Sequence, residues 1–114
     1  MKYRRLGKTG LQVSSVGIGT WQLGNHWGKQ FEQDEVNNIF ARASELGINL
    51  VDTAECYGHH VSENFIGQAL ASSRDRWIIA TKFGHNRRSE LPGEAHWQAD
   101  QVRLQLEASL HALK

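Results

Sequence analysis

Three short apolar runs, each followed by a stretch with helical spacing, constrain this chain more than any other feature. Val16–Gly19, Ile48–Val51 and Trp77–Thr81 read as strands. After the first, Val36, Ile39, Phe40, Ala43 and Leu46 fall on one helical face, with Asp34, Asn37, Asn38, Arg42 and Glu45 mostly elsewhere. After the second, Phe65, Ile66, Ala69 and Leu70 share a face; after the third, Val102, Leu106, Ser109, Leu110 and Leu113 do. Strands alternating with helices predict parallel βαβ units, and strands apolar on both sides predict cover on both faces. Gly47 is placed to end the first helix, and Ser62 before Glu63 reads as an N-cap with an acid in the first turn. Ahead of these units, Lys2–Leu6 and Leu11–Val13 flank Gly7-Lys8-Thr9-Gly10, the pattern of a hairpin. Gln22–Gln33 and Phe83–Trp97, the latter with Pro92, read as loops, and Arg74-Asp75-Arg76 as a polar turn. The expected fold is α/β: an N-terminal hairpin followed by three βα units.

Composition narrows the function classes. A chain of 114 residues allows one domain, and 39% hydrophobic with 22% charged residues is ordinary for a globular protein. A formal net charge of +1 offers no basic field, so neither nucleic acid nor a membrane surface is expected as a partner. Met1-Lys2-Tyr3-Arg4-Arg5 leads into Leu6-Gly7-Lys8 and not into a secretory apolar core. The single cysteine, Cys56, excludes an internal disulfide and fits a reducing compartment, so a soluble cytoplasmic protein is expected. His26, His59, His60, His85, His96 and His111 show no metal-ligand spacing, and no metal is expected. The pair His59-His60 reads as exposed, Cys56 as a small packed side chain.

The chemistry lies where the strands end. In parallel units the C-terminal strand ends share one rim, and sites are built there. Gly19-Thr20-Trp21 follows the first strand, Asp52 the second with Tyr57 in its loop, and Lys82 the third. Core packing does not call for an acid, a phenol and an amine on successive strands. A phenol near pKa 10 is a poor proton donor at neutral pH. A neighbouring ammonium brings it toward useful general-acid strength, and a carboxylate keeps that ammonium charged and in place. Such a phenol suits protonation of a carbonyl oxygen while hydride reaches the carbon. The side chains carry no hydride, which implies a nicotinamide cofactor.

The segments YRRLGKTGLQVSSVGIGTWQLG, GINLVDTAECYGHHVSENFIGQAL and WIIATKFG together resemble the N-terminal part of an aldo-keto reductase. The resemblance implies a (β/α)8 TIM barrel whose bottom is closed by the hairpin, with residues 1–114 as the N-terminal portion of one such domain. It also implies NADPH, a small carbonyl substrate, and a catalytic aspartate, tyrosine, lysine and histidine. Asp52, Tyr57 and Lys82 match the first three of these. Gly19, Thr20 and Trp21 match the segment against the nicotinamide end and substrate pocket, and Asp52 also the ribose contact. The family histidine follows strand four, whereas this sequence ends at SLHALK, within the third helix; His111 does not match it. A barrel of this kind takes about 250 residues, so three units form a partial barrel. No G-x-G-x-x-G replaces the family's late phosphate-holding loops. The expectation is a truncated NADPH-dependent reductase of aldehydes or ketones that self-associates and is inactive in isolation. The alternative is a non-catalytic, cofactor-sensing or regulatory subunit on the same scaffold.

Overall fold

A computed structural model describes residues 1–26, 28–85 and 97–114. The expected loop positions Trp27, Pro92 and His96 lie outside the described residues. Strands β1 (Tyr3–Arg5) and β2 (Gln12–Ser14) pair antiparallel, with Tyr3 opposite Ser14. The turn between them closes as the glycines predict: Leu6 N–H donates to Leu11 O at 2.9 Å, and Gly7 and Gly10 take left-handed φ of 52° and 80°.

β3 (Ile18–Gly19), β4 (Leu50–Asp52) and β5 (Ile78–Ala80) form a parallel sheet in that order. Helices α1 (Gln33–Glu45), α2 (Val61–Leu70) and α3 (Ala99–Leu113) follow them in turn. The register places Gly19 opposite Asp52 and Asp52 opposite Ala80, so three strand ends finish level. The hairpin docks at the other end of the sheet. There Asn49, just before β4, accepts Ser14 N–H at 2.7 Å and donates to Gln12 O at 2.9 Å, while the Tyr3 hydroxyl donates to Gly47 O at 2.7 Å.

Leu23, Val36, Phe40, Ala43, Val51, Ile66, Leu70, Trp77 and Leu113 make one core. Phe40 meets Trp77 edge-on with centroids 5.4 Å apart. A reciprocal capping box between Glu32 and Glu35 starts α1. Gly47 ends it as expected: at φ 76° it donates to Ser44 O, and Ile48 N–H reaches Ala43 O, the paired bonds of a Schellman motif.

Several local expectations change. No strand of the parallel sheet is buried on both faces. In β4 Val51 is fully buried, but Leu50 and Asp52, on the other face, are half-buried and exposed. Ile78 and Ile79 of β5, which pairs with β4 alone among the described residues, are half-buried. Ile39 and Leu46 stand exposed beside the buried Val36, Phe40 and Ala43 of α1. The buried side of α3 is Ser109, Ala112 and Leu113, whereas Leu106 and Leu110 face outward. Gly67 sets that rotation: a Cβ there would lie 2.3 Å from Ala112 O, so the two helix backbones approach through small residues. The segment after β3 is not wholly a loop; Trp21–Gly24 forms a 3-10 turn, as does Arg74–Arg76. Finally, the N-cap of α2 is His60, and Ser62 lies inside the helix.

Candidate active site

The level strand ends gather the expected side chains. Asp52 is the last residue of β4, and Lys82 stands two residues beyond β5. The Lys82 ammonium donates to Asp52 Oδ1 at 2.7 Å and to Thr53 O at 2.9 Å. It also lies 5.4 Å from the centre of the Tyr57 ring. Burial alone would lower the Lys82 pKa. The hydrogen bond and charge of Asp52, joined by the influence of Tyr57, outweigh it and hold the ammonium above its ordinary value. Asp52, Tyr57 and Lys82 thus form one contiguous group, open to solvent, with side-chain exposure of 49% at Lys82 and 56% at Asp52.

The Tyr57 loop is a tight, strained turn. Tyr57 N–H donates to Ala54 O and His60 N–H to Glu55 O, and Gly58, His59 and His60 are all left-handed, with φ of 70°, 56° and 68°. For the two histidines this conformation costs on the order of 1–2 kcal/mol each. His59 is exposed as expected, but His60 is not: its ring Nδ1 meets Glu63 Oε2 at 2.5 Å, with 19% of the side chain exposed.

Gly58 is required by contact as well as by φ. A Cβ there would lie 2.3 Å from Gly24 O, and one at Gly24 would lie 2.7 Å from Gly58 N. This backbone-to-backbone contact seats the Trp21–Gly24 turn against the tyrosine loop.

The candidate cofactor contacts divide. Trp21 is 48% exposed, and a Cβ at Gly19 would meet nothing within 4 Å, so the floor beside Asp52 is open to a flat ring. Among the described residues, Asp52 bonds Lys82 through Oδ1, which leaves Oδ2 for a sugar hydroxyl. Thr20 is different: it is buried, and its hydroxyl and N–H both donate to Asp52 O, at 2.9 and 3.1 Å. Thr20 therefore splices β3 to β4 beneath this floor. The residues present fit the ring and sugar end of a nicotinamide nucleotide.

Polar residues behind the rim were not legible as a site in the sequence. Ser62 Oγ donates to Thr20 O and shares a hydrogen bond with Thr53 Oγ1, each at 3.1 Å. Glu63 is fully buried and accepts from Thr81 Oγ1 at 2.6 Å. Glu55 is also buried, with Oε1 accepting His85 N–H at 2.9 Å. The one available signal was the adjacent Ser62-Glu63 pair, which reads equally well as a helix cap. Cys56 is partly buried and forms no disulfide. No group of three or more His, Cys, Asp or Glu residues able to hold a metal occurs among the described residues. No helix among them is long and apolar enough to cross a membrane.

Comparison with known proteins places the chain in a family. The sequence pattern of the Aldo/keto reductase family matches residues 15–114. An L-galactose dehydrogenase from Arabidopsis thaliana is 37% identical across the whole chain, which spans 35% of that protein. An aldo-keto reductase from Bacillus halodurans, solved in its holo form, superposes on 99% of the chain with TM-score 0.78 and 31% identity; the chain covers 36% of it. A glycerol dehydrogenase from Gluconobacter oxydans superposes on 97% with TM-score 0.73 and 32% identity, the chain covering 35% of it. The chain thus spans about a third of the length of these relatives, and its hairpin and parallel strand–helix units, which close no barrel, are those of their TIM-barrel fold. With fold and sequence in agreement, the chain belongs to the aldo/keto reductase family.

Proposed function

We propose that the protein carrying this chain is an NADPH-dependent oxidoreductase that interconverts aldehydes or ketones with their alcohols in the cytoplasm, with Tyr57 as general acid. The observation that carries this reading is the position of the Lys82 ammonium, held by Asp52 at 2.7 Å and Thr53 O at 2.9 Å and lying 5.4 Å from the Tyr57 ring centre. A charge fixed beside a phenol stabilises the phenolate left after proton transfer, and Asp52 keeps that charge in place. When bound, a reduced nicotinamide would supply hydride for the carbonyl carbon. Tyr57 gives its proton to the carbonyl oxygen and regains one from solvent. Gly19 and Trp21 would line the ring's side of the floor, and the second Asp52 oxygen would accept from a ribose hydroxyl. Two relatives carry names of the same reaction class, an L-galactose dehydrogenase and a glycerol dehydrogenase. A cofactor-sensing subunit without turnover would have no use for the phenol, and the intact group argues against it.

The test is Tyr57→Phe in the full-length protein, with steady-state kinetics on a reactive aldehyde and a separate NADPH titration. Loss of a general acid lowers turnover by roughly 100- to 10,000-fold, and the affinity for NADPH stays within about twofold because the cofactor contacts are untouched. Near-normal turnover in this variant would mean that another group delivers the proton.

A further inference from the structure

We propose that Glu63 is a positioning residue for the Tyr57–Lys82 pair: its buried carboxylate clamps the tyrosine loop to the strand end that carries the lysine. The inference rests on the reading of Tyr57 and Lys82 given above, and it extends that reading to a residue in the core.

A carboxylate at a fully buried helix position is costly. Removing an ion from water and giving it nothing in return costs several kcal/mol, so such groups persist where both oxygens are engaged. Glu63 meets that condition with partners from two different elements. Oε1 accepts from Thr81 Oγ1 at 2.6 Å, and Thr81 is the residue immediately before Lys82. Oε2 meets His60 Nδ1 at 2.5 Å, and His60 is the last residue of the left-handed run that closes the Tyr57 loop.

His60 is the N-cap of α2, but Thr81 lies on another element and is not a neighbour that α2 needs for its own stability; a leucine here would extend the apolar face of Ile66 and Leu70. The adjacent residue does the matching task for the other two strands. Ser62 bonds Thr20 O after β3 and Thr53 Oγ1 after β4, while Thr53 O accepts from Lys82 Nζ. Ser62 N–H in turn holds Tyr57 O at 3.1 Å. The first turn of α2 is therefore a bracket that fixes three strand ends and the tyrosine loop at once. Glu63 joins the closing residue of the loop, His60, to Thr81 beside Lys82, and works alongside the Glu55 Oε1 bond to His85 N–H. Without it, the tie between the loop's closing residue and the residue before Lys82 is lost, and the phenol is held less closely against the ammonium.

The experiment reads geometry without cofactor or turnover, so its failure is distinguishable from failure of the proposed activity. The protein is labelled with [13Cε]lysine, the Lys82 signal is assigned through Lys82→Arg, and two quantities are followed: the nuclear Overhauser effect from Lys82 Hε to the Tyr57 ring, and the pH midpoint of the Lys82 signal. Thr81→Val keeps the shape and removes the donor to Glu63. It is expected to weaken the Overhauser effect at least twofold and to move the midpoint down toward that of an ordinary lysine. Thr81→Ser and Glu63→Gln, which retain the Thr81 hydrogen bond, are expected to keep both near the parent values. Glu63→Ala is expected to behave as Thr81→Val or more severely. Parent-like signals in Thr81→Val overturn the proposal. So does general unfolding of Thr81→Val while Thr81→Ser stays folded, because the bond would then hold the whole fold and not the relative placement of two side chains.

Discussion

Substituting alanine at Gly58, Gly24 and Gly7 separates the two physical reasons why the tyrosine loop contains glycine. At Gly7, φ is 52° and a Cβ would meet nothing within 4 Å, so only the left-handed backbone is penalised. That penalty is about 1–2 kcal/mol, and the reduced freedom of the unfolded chain returns about 0.4–1 kcal/mol. At Gly24 no left-handed φ occurs, but a Cβ would lie 2.7 Å from both Gly58 N and Tyr57 C. Both are backbone atoms, unable to swing aside, so the overpacking cost of about 1–3 kcal/mol applies. Gly58 combines the two: φ is 70°, and a Cβ would lie 2.3 Å from Gly24 O and 2.7 Å from Val61 Cβ. The expected losses are therefore about 0.5–1 kcal/mol for Gly7→Ala, about 1–2 for Gly24→Ala and about 2–4 for Gly58→Ala. Equilibrium urea unfolding followed by tryptophan fluorescence measures all three. Because Gly24 and Gly58 touch each other, the double variant should cost less than the sum of the singles. The reasoning fails if Gly24→Ala is as mild as Gly7→Ala, or if the double variant is simply additive, since the backbone contact would then be relaxed at no cost.

The Lys82 shift implies a pH dependence. With the folded-state pKa raised, the stability it contributes is complete below the unfolded value near 10.5 and is lost as pH climbs through the higher folded value. Asp52→Asn should flatten that alkaline decline in urea midpoints taken from about pH 9 to 12, and an unchanged decline would contradict the pairing. Gly67→Ala should destabilise: helix propensity favours alanine by about 1 kcal/mol, but a Cβ placed 2.3 Å from Ala112 O forces α2 and α3 apart. The net loss is about 1–2 kcal/mol, and a stabilised variant in thermal unfolding would show that the helices have room. The outer side of β5 is unpaired among the described residues, and Leu104, Leu106 and Leu110 of α3 are more than half exposed. Self-association of the 114-residue chain is therefore expected, and sedimentation velocity giving a monomer at all concentrations would argue against it.

What the sequence determined by itself was local and periodic. Helical spacing placed three helices, apolar runs placed three strands, and Gly47 ended α1 because only its own φ and two nearby carbonyls are involved. The rim was legible for the same reason. Parallel strands finish at one end, so Asp52, Tyr57 and Lys82 follow from chain order, and the family motif names the same residues. What only the tertiary structure decided depended on partners distant in the chain. Ser62 looks like a cap when read alone; its actual bonds go to Thr20, 42 residues away, and to Thr53. Glu63 reads as a first-turn acid near a helix dipole, yet it lies fully buried between Thr81 and His60. Thr20 is expected beside the cofactor from the family segment it matches, and its hydroxyl turns inward to Asp52 O. The face that α3 buries was set by the backbone approach at Gly67, so Ser109 and Ala112 go inside while Leu106 and Leu110 do not. Periodicity says which residues share a side. Which side is covered, and which polar group answers which, is settled by the register at which separate segments meet.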